Sequence, residues 1–246
     1  MSRLLLIRHG QASFLAHPDR AFEDYDRLSE LGGQQASALG DELVSGGVLF
    51  DRVYTGPLVR QRQTADEVAA AYARQSKAWP AITQLAELAE HEGSRVVRHA
   101  LSSEPEHAEA LQRLLTTTGE DGEEAELMRT YFTVFRSVTR RWARGELPLA
   151  DVAENWQAFR IRVDSGVRRI LAESGRGVTV GVFTSGGPIG ATVASALGLG
   201  DERALELAWM VENATVTELL FSDDQLSLKS FNVQPRLGAA EMMTRV

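Results

Sequence analysis

The sequence predicts an α/β protein: a three-layer α/β/α sandwich with a mostly parallel central sheet and a helical insertion. Short apolar runs, Leu4 to Ile7 and Val178 to Phe183, stop abruptly at polar, glycine-containing segments, as strands buried on both faces do before a loop. Stretches with apolar residues at helical spacing alternate with these runs. A helix-patterned region from about 94 to 150 interrupts the alternation.

Leu4 to Ile7 is the first central strand and ends at Arg8-His9-Gly10. From Leu31, the residues Ala36, Leu39 and Leu43 recur on one helical face up to Gly46-Gly47, a helix terminus. Asp51 to Thr55 forms a second short strand. Pro57 then occupies the first position of a helix that runs to about Arg74, because that position tolerates the missing N–H. Ile82 to Leu88 is an edge strand or an extended loop. Two helices are expected between Ser103 and Arg144, the second using Leu127, Tyr131, Phe135, Val138 and Trp142. Asp151 opens a further helix through Trp156, Phe159, Val163, Val167 and Ile170, closed by Gly175. Val178 to Phe183 is a strand leading into Thr184-Ser185-Gly186-Gly187-Pro188 and a helix to about Leu197. Thr215 to Phe221 and Gln225 to Val233 are strands joined by Ser222-Asp223-Asp224.

A length of 246 residues fits one large domain spanning 1–246, with the insertion at about 94–150 too small to hold its own core. Hydrophobic residues at 43% and charged residues at 24% are ordinary globular usage, which excludes a disordered or fibrous chain. The acidic excess, 34 against 26 basic residues, argues against nucleic acid or an anionic membrane as partner, so an anionic ligand needs a local basic pocket. Without cysteine there are no disulfides or thiolate metal sites. Leu4 to Ile7 is too short an apolar run for a signal-peptide core, and a soluble cytoplasmic protein is expected.

In open α/β sheets, ligands bind beyond the C-terminal ends of the parallel strands. Three such loops carry polar residues here: Arg8 and His9, then Gly56 to Arg60 and Arg62, then Ser185-Gly186-Gly187. Arginine forks suit phosphate oxygens, and a glycine-rich helix start offers backbone N–H groups to an anion. Arginine at a helix start is unfavourable against the dipole, a misfit at Arg60 that a bound anion relieves.

With these residues the chain resembles the histidine phosphatase superfamily, also called phosphoglycerate-mutase-like. Arg8-His9-Gly10 matches its signature tripeptide, and Pro57-Leu58-Val59-Arg60 with Gln63-Thr64-Ala65 resembles its second signature. Leu28 to Gly32 resembles the approach to its first helix, and Leu85-Ala86-Glu87 the segment that supplies a carboxylic acid. The resemblance covers the first 93 residues and about 178 to 235. It implies hydrolysis of a phosphate monoester, of a small molecule or a phosphoprotein, with no cofactor and no metal.

In that reading His9 attacks phosphorus, Glu87 is the acid with Glu90 and Glu92 as alternatives, and Arg8, Arg60, Ser185, Gly186 and Gln11 contact the phosphate. Gln11 could equally orient its loop, and Arg62 is read as a solvated helix residue. The main departure is Ser185, which stands where most of the family carries a second histidine; its hydroxyl can cap the following helix, contact phosphate, or both. That departure keeps a second reading open: a phosphate-binding or protein-interaction module that retains Arg8, His9 and Arg60 but has lost turnover. A glycolytic mutase is disfavoured, because the family's Asn-containing stretch with Gly-Trp is absent between Ser13 and Asp26.

Overall fold

The computed structural model describes residues 1–13, 26–103, 133–149, 153–223 and 225–234. Its frame is a six-stranded sheet in the order β3-β2-β4-β1-β5-β6. Strands β1 (Ser2–Arg8), β2 (Arg52–Thr55), β3 (Ile82–Gln84) and β4 (Thr179–Thr184) run parallel. Strand β5 (Val216–Ser222) is antiparallel to its neighbour β1 and forms a hairpin with β6 (Gln225–Val233), which closes the other edge.

Strands β1 and β4 lie at the centre, which explains why their sequences read as unbroken apolar runs: each residue faces one or other helical layer. On one face Leu5, Ile7, Val53 and Phe183 pack with Leu39, Leu43, Val68 and Tyr72. These come from helices α1 (Glu30–Ser45) and α2 (Val59–Arg74). Burying each such side chain contributes roughly 1.5–3 kcal/mol. Trp79 seals this layer edge-on against Tyr72, with ring centroids 4.9 Å apart.

Alternation along β1 sends Leu4 and Leu6, both buried, to the opposite face. Helix α5 (Gly186–Ala196) and helix α6 (Asp201–Met210) pack together so closely that a Cβ at Gly190 would lie 2.5 Å from the Ala208 nitrogen. At the hairpin, Glu218 receives Arg3 Nε at 2.6 Å and Lys229 Nζ at 3.1 Å. Burial alone would raise its pKa, but these bonds outweigh it and hold the carboxyl below its ordinary value.

Two compact units are present: Met1–Glu90 with Ile161–Val246, and His91–Arg160. The second contains α3 (Gly93–Ser103), a helical stretch over 133–143 and the start of α4 (Trp156–Ser174). Within it, Trp142 stacks edge-on against Trp156 at 5.1 Å and donates its indole N–H to the Glu154 carbonyl at 3.1 Å. His91 sits against Trp142 and Phe159 at 5.3 and 5.6 Å.

Several boundaries differ from the sequence expectation. Helix α2 starts at Val59 rather than Pro57, because Leu58 is its N-cap and still extended. Helix α4 starts at Trp156, where the Asn155 Oδ1 accepts the Ala158 N–H at 2.8 Å; the expected opening at Asp151 lies outside the described residues. Helices α3 and α6 were not expected. Residues 104–132, with Leu127 and Tyr131 of the expected second insertion helix, also lie outside them.

Candidate active site

All four parallel strands end at the same edge of the sheet, and their following loops are tied together by backbone bonds. The His9 N–H donates to the Thr184 carbonyl at 3.0 Å, Gly56 N–H to Phe183 at 3.0 Å, and Leu85 N–H to Thr55 at 2.8 Å. The register pairing of Arg8 with Thr184 therefore places His9 and Ser185 side by side on neighbouring strands.

His9 is 2% exposed, and both ring nitrogens are engaged. Nδ1 lies 2.7 Å from the Gly10 carbonyl oxygen, and Arg60 Nε lies 3.1 Å from Nε2. A carbonyl only accepts and a guanidinium only donates, so the proton resides on Nδ1 and the Nε2 lone pair faces Arg60. Burial, then the charges of Arg60 and Arg8, hold the His9 pKa well below its ordinary 6.5, against the opposing effect of the Gly10 carbonyl. The ring is a neutral imidazole with its nucleophilic nitrogen turned toward a cation.

The loop that carries His9 is fixed on every side. Gly10 N–H donates to Thr64 Oγ1 at 3.1 Å, and Asn213 Nδ2 to the His9 carbonyl at 3.0 Å. A Cβ at Gly10 would fall 2.3 Å from the Gly32 carbonyl oxygen, so the tripeptide needs glycine there for close backbone approach. Gln11 accepts from Ser29 Oγ at 2.8 Å through its side-chain oxygen, which ties the loop to the start of α1. Ser29 in turn accepts the Gly32 N–H at 3.0 Å as the N-cap of α1.

Arg60 is buried at the first turn of α2, where the helix dipole disfavours a cation. The anion that relieves this misfit is internal: Asp26 accepts Arg60 Nη1 at 3.0 Å and the Val59 N–H at 3.0 Å. Arg60 is thereby held with Nε toward His9. Arg8 is likewise buried and donates Nη1 to the Val211 carbonyl. Arg62 forms an exposed pair with Asp66 at 3.3 Å on the outer face of α2.

Ser185 is fully buried at the N-cap position of α5, yet its side chain makes no capping bond. Its hydroxyl accepts Gln61 Nε2 at 2.8 Å instead. The bond to the helix start comes from Glu90, whose Oε2 accepts the Gly187 N–H at 3.1 Å.

Sequence matching put the acid at Glu87, but the tripeptide Leu-Ala-Glu occurs twice in succession, at 85–87 and 88–90. The structure separates the two carboxylates. Residues Ala86–Leu88 form a 3₁₀ turn and Ala89 is extended, so Glu87 and Glu90 leave the chain in different directions. The Glu87 stem packs on α4, where a Cβ at Gly166 would touch its Cβ at 2.6 Å, and its carboxylate pairs with Arg169 at 3.7 Å. Arg162 grips the same turn through the Glu87 and Ala89 carbonyls, at 2.9 and 3.1 Å. Glu90 is the carboxylate brought to the Ser185 loop.

The model of the histidine phosphatase superfamily (branch 1) matches residues 4–130 and 119–234. The chain belongs to this superfamily. Solved phosphatases and a mutase share the fold of the chain. Phosphoserine phosphatase from Entamoeba histolytica superposes with a TM-score of 0.61 at 17% identity, covering 96% of this chain and 100% of that one. Phosphoglycerate mutase from Bacillus anthracis gives 0.61 at 22% identity over 95% and 93% of the two chains. Mycobacterial glucosyl-3-phosphoglycerate phosphatase gives 0.57 at 20% over 94% and 99%. In sequence, a 2,3-bisphosphoglycerate-dependent phosphoglycerate mutase from Rhizobium etli is 44% identical over 62 residues, 25% of this chain and 29% of that protein. The matched stretch is thus under a third of that relative.

Of the residues that build this candidate site, Asp26, Gln61 and Asn213 were not read as functional from sequence, whereas Thr64 lies in the segment that resembles the second signature. Asp26 and Asn213 act across long separations that no local pattern reveals. Gln61 was detectable, since it stands immediately after Arg60 in the segment that resembles the second signature.

Proposed function

We propose that the protein hydrolyses a phosphate monoester through a phosphohistidine at His9, with Glu90 rather than Glu87 as the proton donor and acceptor. The observation that carries this reading is the neutral, fixed His9 ring whose Nε2 lone pair meets Arg60 Nε at 3.1 Å. A phosphoryl oxygen entering this site takes over the Arg60 donor, and the same lone pair is then aimed at phosphorus.

The first step forms the Nε2–P bond and breaks the P–O ester bond, while the protonated Glu90 carboxyl gives its proton to the leaving alkoxide. In the second step Glu90 takes a proton from water as the water oxygen bonds to phosphorus. The N–P bond breaks, and inorganic phosphate leaves a neutral His9. Arg8 and Arg60 neutralise the oxygens, and the Ser185 hydroxyl and Gly186 N–H complete the donor set. Gln11, bonded to Ser29, serves the loop rather than the phosphate.

The test is hydrolysis of an aryl phosphate in excess chelator. Turnover lost in His9→Ala is expected, with a drop on the order of a hundred-fold or more in Glu90→Gln. Glu87→Gln is expected to stay within a few-fold of wild type. A larger loss in Glu87→Gln than in Glu90→Gln would return the acid to Glu87, and metal-dependent or His9-independent turnover would overturn the mechanism.

Ser185 favours a second reading, a phosphate-binding module with little turnover. Losing one oxyanion donor costs on the order of 2.7–4 kcal/mol, which slows an enzyme without removing phosphate affinity. An inert wild type that binds inorganic phosphate and gains turnover on Ser185→His would support it.

A further inference from the structure

We infer that Gln61 is a positioning residue for phosphoryl transfer: its side-chain amide holds the Ser185 hydroxyl as a neutral donor aimed at the transferring phosphoryl group. The inference rests on the phosphate site proposed above.

The orientation of the amide is fixed by its neighbours. Gln61 Oε1 accepts the Leu58 N–H at 3.1 Å, which leaves Nε2 to face Ser185 Oγ at 2.8 Å and the Leu88 carbonyl at 3.4 Å. Swapping the oxygen and nitrogen would oppose two donors at Leu58 and two acceptors at Leu88, so only one placement satisfies the network. Gln61 is completely buried. Room for its amide exists because residue 56 is glycine: a Cβ there would lie 2.1 Å from Gln61 Oε1.

The consequence falls on Ser185. Its oxygen accepts from Gln61, so its own proton must rotate away from Nε2. Among the described residues no oxygen accepts that proton, although the residue is wholly buried. A buried hydroxyl whose proton is unused, set beside His9 by the register of β1 and β4, is a prepared donor for an oxyanion. Gln61 and Ser185 together do with two neutral groups what a single ring nitrogen does elsewhere in the superfamily. The site gains a donor that does not titrate.

Reversing the polarity of this bond tests the inference. In Gln61→Glu the introduced carboxylate can only accept, so Ser185 must donate to it and is withdrawn from phosphate. The full-length protein is assayed for aryl phosphate hydrolysis and, by titration calorimetry, for inorganic phosphate affinity. The variants are Ser185→Ala, Gln61→Glu, their double mutant and Gln61→Met. Ser185→Ala and Gln61→Glu are expected to lose kcat or phosphate affinity by on the order of ten- to a hundred-fold. The double mutant should be no worse than either single one. Lowering the pH should restore Gln61→Glu, because the protonated carboxyl donates again, and should not restore Ser185→Ala. Gln61→Met, which removes the donor without adding charge, should lose part of the same factor with its thermal midpoint retained, and covers the case in which Gln61→Glu fails to fold.

Unchanged kcat and phosphate affinity in both Gln61 variants, or losses that multiply in the double mutant, would overturn the inference. His9→Ala separates the two levels. Turnover surviving in it defeats the proposed reaction, while phosphate affinity still reports the Gln61–Ser185 coupling.

Discussion

The role proposed for His9, attack on phosphorus, depends on Gly10 on one side of its ring and on Arg60 and Arg8 on the other. The Gly10 carbonyl accepts a hydrogen bond from Nδ1–H, which leaves the lone pair on Nε2, while burial, Arg60 and Arg8 disfavour protonation of the ring. The same arrangement has a price in acid. The unfolded chain protonates this imidazole below pH 6.5, whereas the folded chain resists until a much lower pH, so stability falls as the pH drops below that value. A His9→Gln variant lacks the effect. The thermal midpoint of wild type relative to His9→Gln is therefore expected to fall between about pH 7.5 and about pH 5.5. A difference that stays constant across this range would contradict the depressed pKa. Asp26 makes a comparable point for Arg60: the misfit of a cation at a helix start is real, and a carboxylate of the protein itself answers it before any ligand does.

At the level of elements, the site depends on helices set close to strand ends. The α5–α6 contact is tightest at Gly190, whose Cβ would meet the Ala208 nitrogen at 2.5 Å and the Ala204 carbonyl oxygen at 2.6 Å. Because both are backbone atoms, Gly190→Ala forces the helices apart and is expected to destabilise the protein by about 1–3 kcal/mol in denaturant unfolding. An unchanged midpoint would show that the packing yields. Much of this frame was legible beforehand. The central strands announced themselves as apolar runs because they are covered on both faces, and the β5–β6 hairpin through its turn residues. Helix α6 was missed although Ala204, Leu205 and Ala208 lie at helical spacing after two acidic residues, because the segment is short and follows another helix directly. Glu87 was preferred because Leu85-Ala86-Glu87 resembles the family segment that supplies an acid, with Glu90 and Glu92 as alternatives; that Glu90 accepts the Gly187 N–H while Glu87 pairs with Arg169 is visible only in the fold. Gln61 and Ser185 are 124 positions apart, and only the fold shows that they are partners.

Across the whole molecule, a net charge of −8 coexists with a site built around two buried arginines. The proposed phosphate monoester would be attracted by these arginines and not by the acidic surface, so its selection would depend on the pocket. Among the described residues no helix is long and apolar enough to cross a membrane. The superfamily fold brings Arg8, His9, Arg60, Ser185 and Glu90 to one edge of the sheet from four different loops, which makes the chemistry a property of the entire α/β frame. In the proposed reaction His9 becomes covalently phosphorylated. Its most direct test is to quench the protein during turnover of an aryl phosphate and search its peptides for bound phosphate. An acid-labile phosphoryl group on the peptide bearing His9, absent from His9→Ala, is the expected result. Turnover with no phosphate on that peptide, or phosphate held at another residue, would contradict it.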